Sequence, residues 1–193
     1  MNFLEEKILN DADLRPGDIV KVDNFLNHLV DMDLEEKIAD EIISRFSGKQ
    51  ITKVVTIEAS GISLATAVAM KLHVPMAFAK KRHSLNMDDD CYVARAFSYT
   101  HKCLDQIALA KFCLSPDDKV LVVDDFLATG EAMRALCSIV KQSGATVAGC
   151  ASAVEKGFQE GGNGFRAEGI QVESVAIIES IDYETGKIEF RKQ

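Results

Sequence analysis

The residues with the most chemistry in them lie between Val120 and Ala132. They form an apolar run, Val120-Leu121-Val122-Val123, then two carboxylates, Asp124 and Asp125, then Phe126-Leu127-Ala128-Thr129-Gly130-Glu131-Ala132. Adjacent carboxylates accept hydrogen bonds from vicinal hydroxyls. The Ala128-Thr129-Gly130 turn brings backbone N–H groups to the start of a helix, where unpaired donors and the helix dipole favour a phosphate. Together they suit a phosphorylated sugar, with hydroxyls on the acids and phosphate on the amides. The apolar run is that of a strand buried on both faces, and ligands of open α/β sheets bind beyond the carboxyl ends of strands. The strand is therefore expected to end where Asp124 begins. Gly130 lets the chain approach a ligand closely. A plain buried strand and turn would explain Val120 to Val123 but not the acidic pair followed by that turn.

Three further segments carry candidate groups. Glu58-Ala59-Ser60-Gly61 also opens a helix after a strand, so its amides suit a second anion; alternatively, Ser60 is simply an N-cap. Lys80-Lys81-Arg82-His83 concentrates positive charge in an acidic chain, either to meet a polyanion or as a solvated basic turn. The acidic run Asp88-Asp89-Asp90 just beyond it reads as a solvated loop. In Val154-Glu155-Lys156-Gly157-Phe158-Gln159, Lys156 is a point donor able to reach an exocyclic oxygen; otherwise it is a surface lysine.

The elements that must position these groups alternate. Asp33-Leu34-Glu35-Glu36 offers a capping box opening a helix to about Phe46, with Ile38, Ile42 and Phe46 on one stripe and Gly48 ending it. Ile51 to Glu58 reads as a buried strand, Ser60-Gly61 starts a helix with Leu64, Ala65, Val68 and Leu72 inward, and Val74 to Ala79 is a strand. Cys91 to Tyr99 and Lys102 to Leu114 suggest an antiparallel excursion. After the strand at Val120 come a helix from Gly130 to about Gln142, a buried strand at Val147 to Val154, and shorter strands at Val172 to Ile178 and Ile188 to Phe190. The alternation implies an α/β fold with a parallel sheet wound by right-handed crossovers.

Composition narrows the function classes. The chain has 193 residues, 47% of them apolar, enough for one domain with a sizeable core. A net charge of −8 disfavours nonspecific binding to nucleic acid or an anionic membrane. No apolar run approaches a membrane span and no basic-then-apolar leader opens the chain, so a cytoplasmic protein is expected. The five cysteines show no Cys-x-x-Cys spacing and the four histidines are scattered, which argues against a disulfide framework or a metal cluster.

The Val120 to Ala132 segment resembles the phosphoribosyl-diphosphate motif of the type I phosphoribosyltransferases: four apolar residues, two acidic, then Ala-Thr-Gly. With Val20-Lys21-Val22-Asp23-Asn24-Phe25-Leu26-Asn27-His28 and the Lys156 segment, the resemblance narrows to the xanthine phosphoribosyltransferases of bacterial purine salvage and runs over nearly the whole chain. It implies the type I phosphoribosyltransferase fold: a central, mostly parallel sheet flanked by helices, with a small hood made by about residues 1–35 and 156–193. It implies transfer of 5-phosphoribosyl from 5-phospho-α-D-ribose 1-diphosphate (PRPP) to xanthine, with Mg2+ carried mainly by the diphosphate, in a cytoplasmic homodimer. Ribose contact falls on Asp124 and Asp125, 5′-phosphate contact on Ala128, Thr129, Gly130, Glu131 and Ala132, and diphosphate contact on Lys81, Ser60 and Gly61. Base contact falls on Val20, Asn27 and Lys156. By its residue type, Phe25 or Phe158 could cover the base face, although an aromatic in an apolar run is more often core. The Ser60–Gly61 turn often carries a non-proline cis peptide in this family, and the basic segment belongs to a loop that closes over the site. Some related purine enzymes have an Asp where this chain has Ala128, so no carboxylate stands there to take the purine proton. Transfer to hypoxanthine or guanine, or a non-catalytic purine regulator sensing PRPP, are the alternatives. The regulator would need a basic DNA-binding module ahead of Ile51, where the chain is acidic and short.

Overall fold

The computed structural model describes residues 1–82, 90–98 and 103–193. His83, Asp88, Asp89, Tyr99, His101 and Lys102 lie outside the described residues.

In chain order the elements are α1 (Phe3–Asp11), the short strands β1 (Asp13–Arg15) and β2 (Ile19–Lys21), a π-helical turn (Asp23–Asn27), α2 (Met32–Arg45), β3 (Lys53–Ile57), α3 (Gly61–Leu72), β4 (Met76–Arg82), β5 (Cys91–Ser98), β6 (Cys103–Ala110), a 3-10 turn (Lys111–Cys113), β7 (Lys119–Leu127), α4 (Glu131–Gln142), β8 (Thr146–Lys156), α5 (Glu160–Ala167), β9 (Val172–Asp182) and β10 (Lys187–Phe190). The main sheet has eight strands in the order β10-β9-β8-β7-β3-β4-β6-β5, and β1 pairs only with β2. β9, β8, β7, β3 and β4 are parallel; β10, β6 and β5 join antiparallel. The mostly parallel sheet expected from the alternation is present, and the excursion after β4 is the antiparallel pair β5–β6.

One core packs α1, α2, α3 and the N-terminal segment against one sheet face; the other packs α4 and the β5–β6 pair against the opposite face. The predicted stripe Ile38, Ile42 and Phe46 is buried, as are Leu64, Ala65 and Val68. No helix among the described residues is long and apolar enough to cross a membrane.

Several boundaries differ from expectation. The strand β7 does not stop before Asp124: β8 continues to pair with it, Asp124 against Ser152, Phe126 against Val154 and Leu127 against Glu155. Its other neighbour, β3, pairs only as far as Val55 against Val122. The carboxylates thus stand on an ordered strand beside a gap. The cap of α2 is Asp31, whose carboxylate accepts from Leu34 N–H at 3.1 Å, so the box expected at Asp33 is not the start signal. Lys80, Lys81 and Arg82 belong to β4 and pair with Ala108, Ile107 and Gln106; the basic segment begins in the sheet, because β6 supplies the ladder partner that charge alone does not reveal. Two helices have weak sequence signals. α1 is opened by a capping box in which Asn2 accepts from Leu4 and Glu5 N–H, both at 3.0 Å, while Glu5 accepts from Asn2 N–H at 2.9 Å. α5 carries glycines at 161, 162 and 164.

Candidate active site

The site assembles where β3 and β7 part. The turn after β3 contains a cis peptide between Glu58 and Ala59, and the Glu58 carboxylate accepts from Lys81 N–H at 2.7 Å, which ties the turn to β4. Ser60 precedes α3 but makes no side-chain capping bond; its own φ and ψ, −66° and −31°, are already helical. The capping alternative is therefore not realised: Ile62 N–H turns back to the Ala59 carbonyl at 3.2 Å, and the amides of Ser60 and Gly61 are the ones left to a ligand at this turn.

Gly61 brings this turn against the acidic pair. A Cβ there would stand 2.3 Å from Thr56 Oγ1 and 2.7 Å from Asp124 Oδ1, so only glycine fits. Thr56 Oγ1 is buried with no hydrogen-bond partner among the described residues. Asp124 and Asp125 are each 7% exposed, and Asp124 Oδ1 accepts from Asp125 N–H at 3.1 Å. Burial pushes the Asp124 carboxyl well above the usual carboxylate range; the charge of Asp125 adds to this and Lys81 opposes it. Lys81, exposed on β4, is thus close enough to act electrically on Asp124.

On the far side of the acids, Ala128, Thr129 and Gly130 form the turn into α4. Gly130 takes φ 82°, a conformation that favours glycine. The bond from Arg134 N–H to Gly130 carbonyl, 2.8 Å, marks where the helical ladder begins. The amides before it, through Glu131 and Ala132, lie outside that ladder. The turn is braced by α5: Gly161 N–H donates to Ala128 carbonyl at 3.1 Å, and a Cβ on Gly161 would stand 2.3 Å from that oxygen. Sequence reasoning missed this support; the signal was the glycine cluster itself.

The remaining candidates gather around the N-terminal segment. Val20 is buried in β2. Asn27 closes the π-helical turn, and its Oδ1 is buried with no partner among the described residues. Lys156, at the end of β8, donates to the Asp18 carbonyl at 2.8 Å, and burial lowers its ammonium from the usual lysine range while Asp18 opposes. Behind it the fully buried Glu155 receives Arg166 through two bonds of 2.7 Å and Ser174 Oγ at 2.6 Å. Of the aromatic candidates, Phe25 is 1% exposed and belongs to the core, whereas Phe158 is 37% exposed.

Comparisons with known proteins fit this arrangement. The family model for a phosphoribosyl transferase domain matches residues 21–163. The chain is 45% identical over 193 residues to the xanthine phosphoribosyltransferase of Bacillus mycoides, covering all of this chain and 97% of that protein. It is 46% identical over 192 residues to that of Bifidobacterium longum subsp. infantis, covering 99% of this chain and 100% of that one. Among solved structures, adenine phosphoribosyltransferase from Thermoanaerobacter pseudethanolicus aligns with TM-score 0.75 at 19% identity, over 90% of this chain and 98% of that one. That from Trypanosoma brucei, in complex with AMP, pyrophosphate and ribose-5-phosphate, gives 0.71 at 20% identity, over 91% and 80%. At such identities the structural likeness is one of fold.

Proposed function

This chain belongs to the phosphoribosyl transferase domain family, and we propose that it transfers the 5-phosphoribosyl group of PRPP to xanthine, giving xanthosine 5′-monophosphate and diphosphate. Relatives named for that activity align with it from end to end. The observation that carries the reading is the meeting of Gly61 with Asp124: the turn suited to a diphosphate and the acids suited to ribose hydroxyls share one gap.

In this reading the Ala128–Ala132 amides hold the 5′-phosphate. Asp124 and Asp125 hold the ribose hydroxyls and place negative charge beside the sugar as it becomes an oxocarbenium-like cation. The Ser60–Gly61 turn and Lys81 take the departing diphosphate. These donors, amides and an ammonium, address phosphate oxygens rather than a cation, which fits Mg2+ arriving on the diphosphate, where it neutralises the leaving group.

The base end is made by Val20, Asn27 and Lys156, in a single domain over residues 1–193 whose hood comprises about residues 1–35 and 156–193. A buried, unpartnered Asn27 Oδ1 suits a ring N–H, and the lysine donors suit the carbonyl oxygens of a dioxopurine. An amide and a lysine so placed disfavour a 6-aminopurine, which would leave a buried donor facing a donor. The enzyme so described is a cytoplasmic homodimer; sedimentation giving the mass of one chain would remove the dimer from the reading.

The test is an assay in which each purine is mixed with PRPP and Mg2+ and diphosphate release is followed. Nucleotide formation with xanthine and little with adenine is expected. Preference for hypoxanthine or guanine would move the assignment to another base, and no turnover with any purine would overturn it.

A further inference from the structure

Glu35 is a buried titratable group for which the mechanism above has no use. It lies in α2 and is 0% exposed. Its Oε1 accepts from Ser63 Oγ at 2.9 Å, whereas Oε2 is buried with no hydrogen-bond partner among the described residues. Asp31 already caps α2, so Glu35 has no capping task.

Its surroundings join two parts of the site. Ser63 stands in the first turn of α3, and its hydroxyl is also 3.4 Å from the Ser60 carbonyl in the turn assigned to the diphosphate. From β7, the charge that acts on Glu35 is that of Asp125. From α3, Lys71 is taken by Glu36 and Asp40 at 3.0 and 2.7 Å, so it does not neutralise Glu35. A second ionised carboxylate behind Asp125 would repel any polyanion entering the gap.

We propose that Glu35 is a positioning residue for the sugar diphosphate: it is protonated when PRPP binds, so that Asp125 and the Ser60–Gly61 turn receive the polyanion without an added negative charge behind them. The inference rests on the function proposed above. Ser63 relays the state of Glu35. Its hydroxyl donates to Glu35 Oε1 at 2.9 Å and stands 3.4 Å from the Ser60 carbonyl, so the carboxyl and the turn share one contact. Burial pushes the Glu35 carboxyl up to about 7, against the Ser63 hydrogen bond and with the Asp125 charge adding to it. A ligand that prefers the protonated form takes up a proton on binding, and its affinity falls as pH rises above that value.

The experiment is calorimetric titration of the protein with PRPP and Mg2+, without a purine acceptor, at about pH 6.5 and about pH 8.5 in buffers of different protonation heats. Wild-type affinity is expected to fall about tenfold more than that of Glu35→Gln across this range, with proton uptake larger by about half a proton near neutrality. The variant comparison removes the titration of PRPP itself. Equal pH dependence in the two proteins overturns the inference while leaving the enzymatic assignment standing; absence of PRPP binding by the wild type would instead remove the assignment. Should Glu35→Gln not fold, Ser63→Ala serves: loss of the hydroxyl raises the Glu35 pKa further, so the fall in affinity moves to higher pH. An unmoved midpoint overturns the proposal.

Discussion

The ammonium of Lys156 donates to the Asp18 carbonyl at 2.8 Å, joining the end of β8 to the turn between β1 and β2 across most of the sequence. Asp18 takes φ 59°, a backbone state few non-glycine residues adopt. The group assigned to the purine oxygen is thus also a strut for the segment that would cover the base.

Lys156→Met keeps the aliphatic stem and removes the donors. It is expected to raise KM for xanthine by at least about tenfold, as a lost charge-assisted bond would, while KM for PRPP moves far less. Steady-state kinetics with each substrate varied checks this, and an unchanged xanthine KM would remove Lys156 from the base site.

Asp125→Asn retains shape and removes the charge proposed to stand beside the reacting sugar. Turnover is expected to drop roughly a hundredfold, the scale of losing one preorganised electrostatic contact. Xanthine affinity should hold within about twofold. Equilibrium binding beside kcat separates the two, and unchanged turnover would refute the role.

Gly61→Ala forces a methyl against Thr56 Oγ1 and Asp124 Oδ1. Overpacking of this kind costs about 1–3 kcal/mol, and here the strain falls on the acidic pair. The expected result is a folded protein by circular dichroism with PRPP turnover reduced about tenfold or more. Full activity would show that the turn and the acids do not act together.

Arg166→Met leaves Glu155 buried without its partner. Removing one member of a buried ion pair typically costs about 3–5 kcal/mol; with Arg166 30% exposed, the lower end is expected. Denaturant unfolding measures it, and Glu155→Gln added to Arg166→Met should recover part of the loss.

Stability should also carry the signature of Glu35. Its folded-state pKa of about 7 lies above its ordinary 4.5, so between these values the folded protein holds a proton that the unfolded chain has released. The resulting stabilisation is complete below the lower value and is lost as pH rises through the upper one. Melting temperatures of wild type and Glu35→Gln from about pH 6 to about pH 8 should differ in slope, the variant being flatter.

Much of this could be read without coordinates, for identifiable reasons. β3, β7 and β8 lie in the sheet interior, so their apolar runs stand out, and the stripes of α2, α3 and α4 recur with the helical period. The limits of β7 could not be read, because the strand's length is set by how far β8 continues and β3 does not. Lys80 to Arg82 look like a loop until β6 is present to pair with them. The burial of Glu35 is hidden by its own spacing: an acid near a helix start suggests capping, and only the packing of its side chain against Ser63 shows otherwise. α5 was missed because glycines disfavour helix everywhere except where neighbours leave no room for a side chain.

That last helix has a mechanical consequence. With Gly161 pressed to the Ala128 carbonyl, Gly162 to Glu155 and Gly164 to Arg134, α5 derives little cohesion from its own residues, each glycine costing about 1 kcal/mol relative to alanine. It is held in shape by the Ala128–Gly130 turn on one flank and the end of β8 on the other. Loosening either flank would slacken the splint that fixes the span between the turn proposed for the phosphate and the lysine proposed for the base.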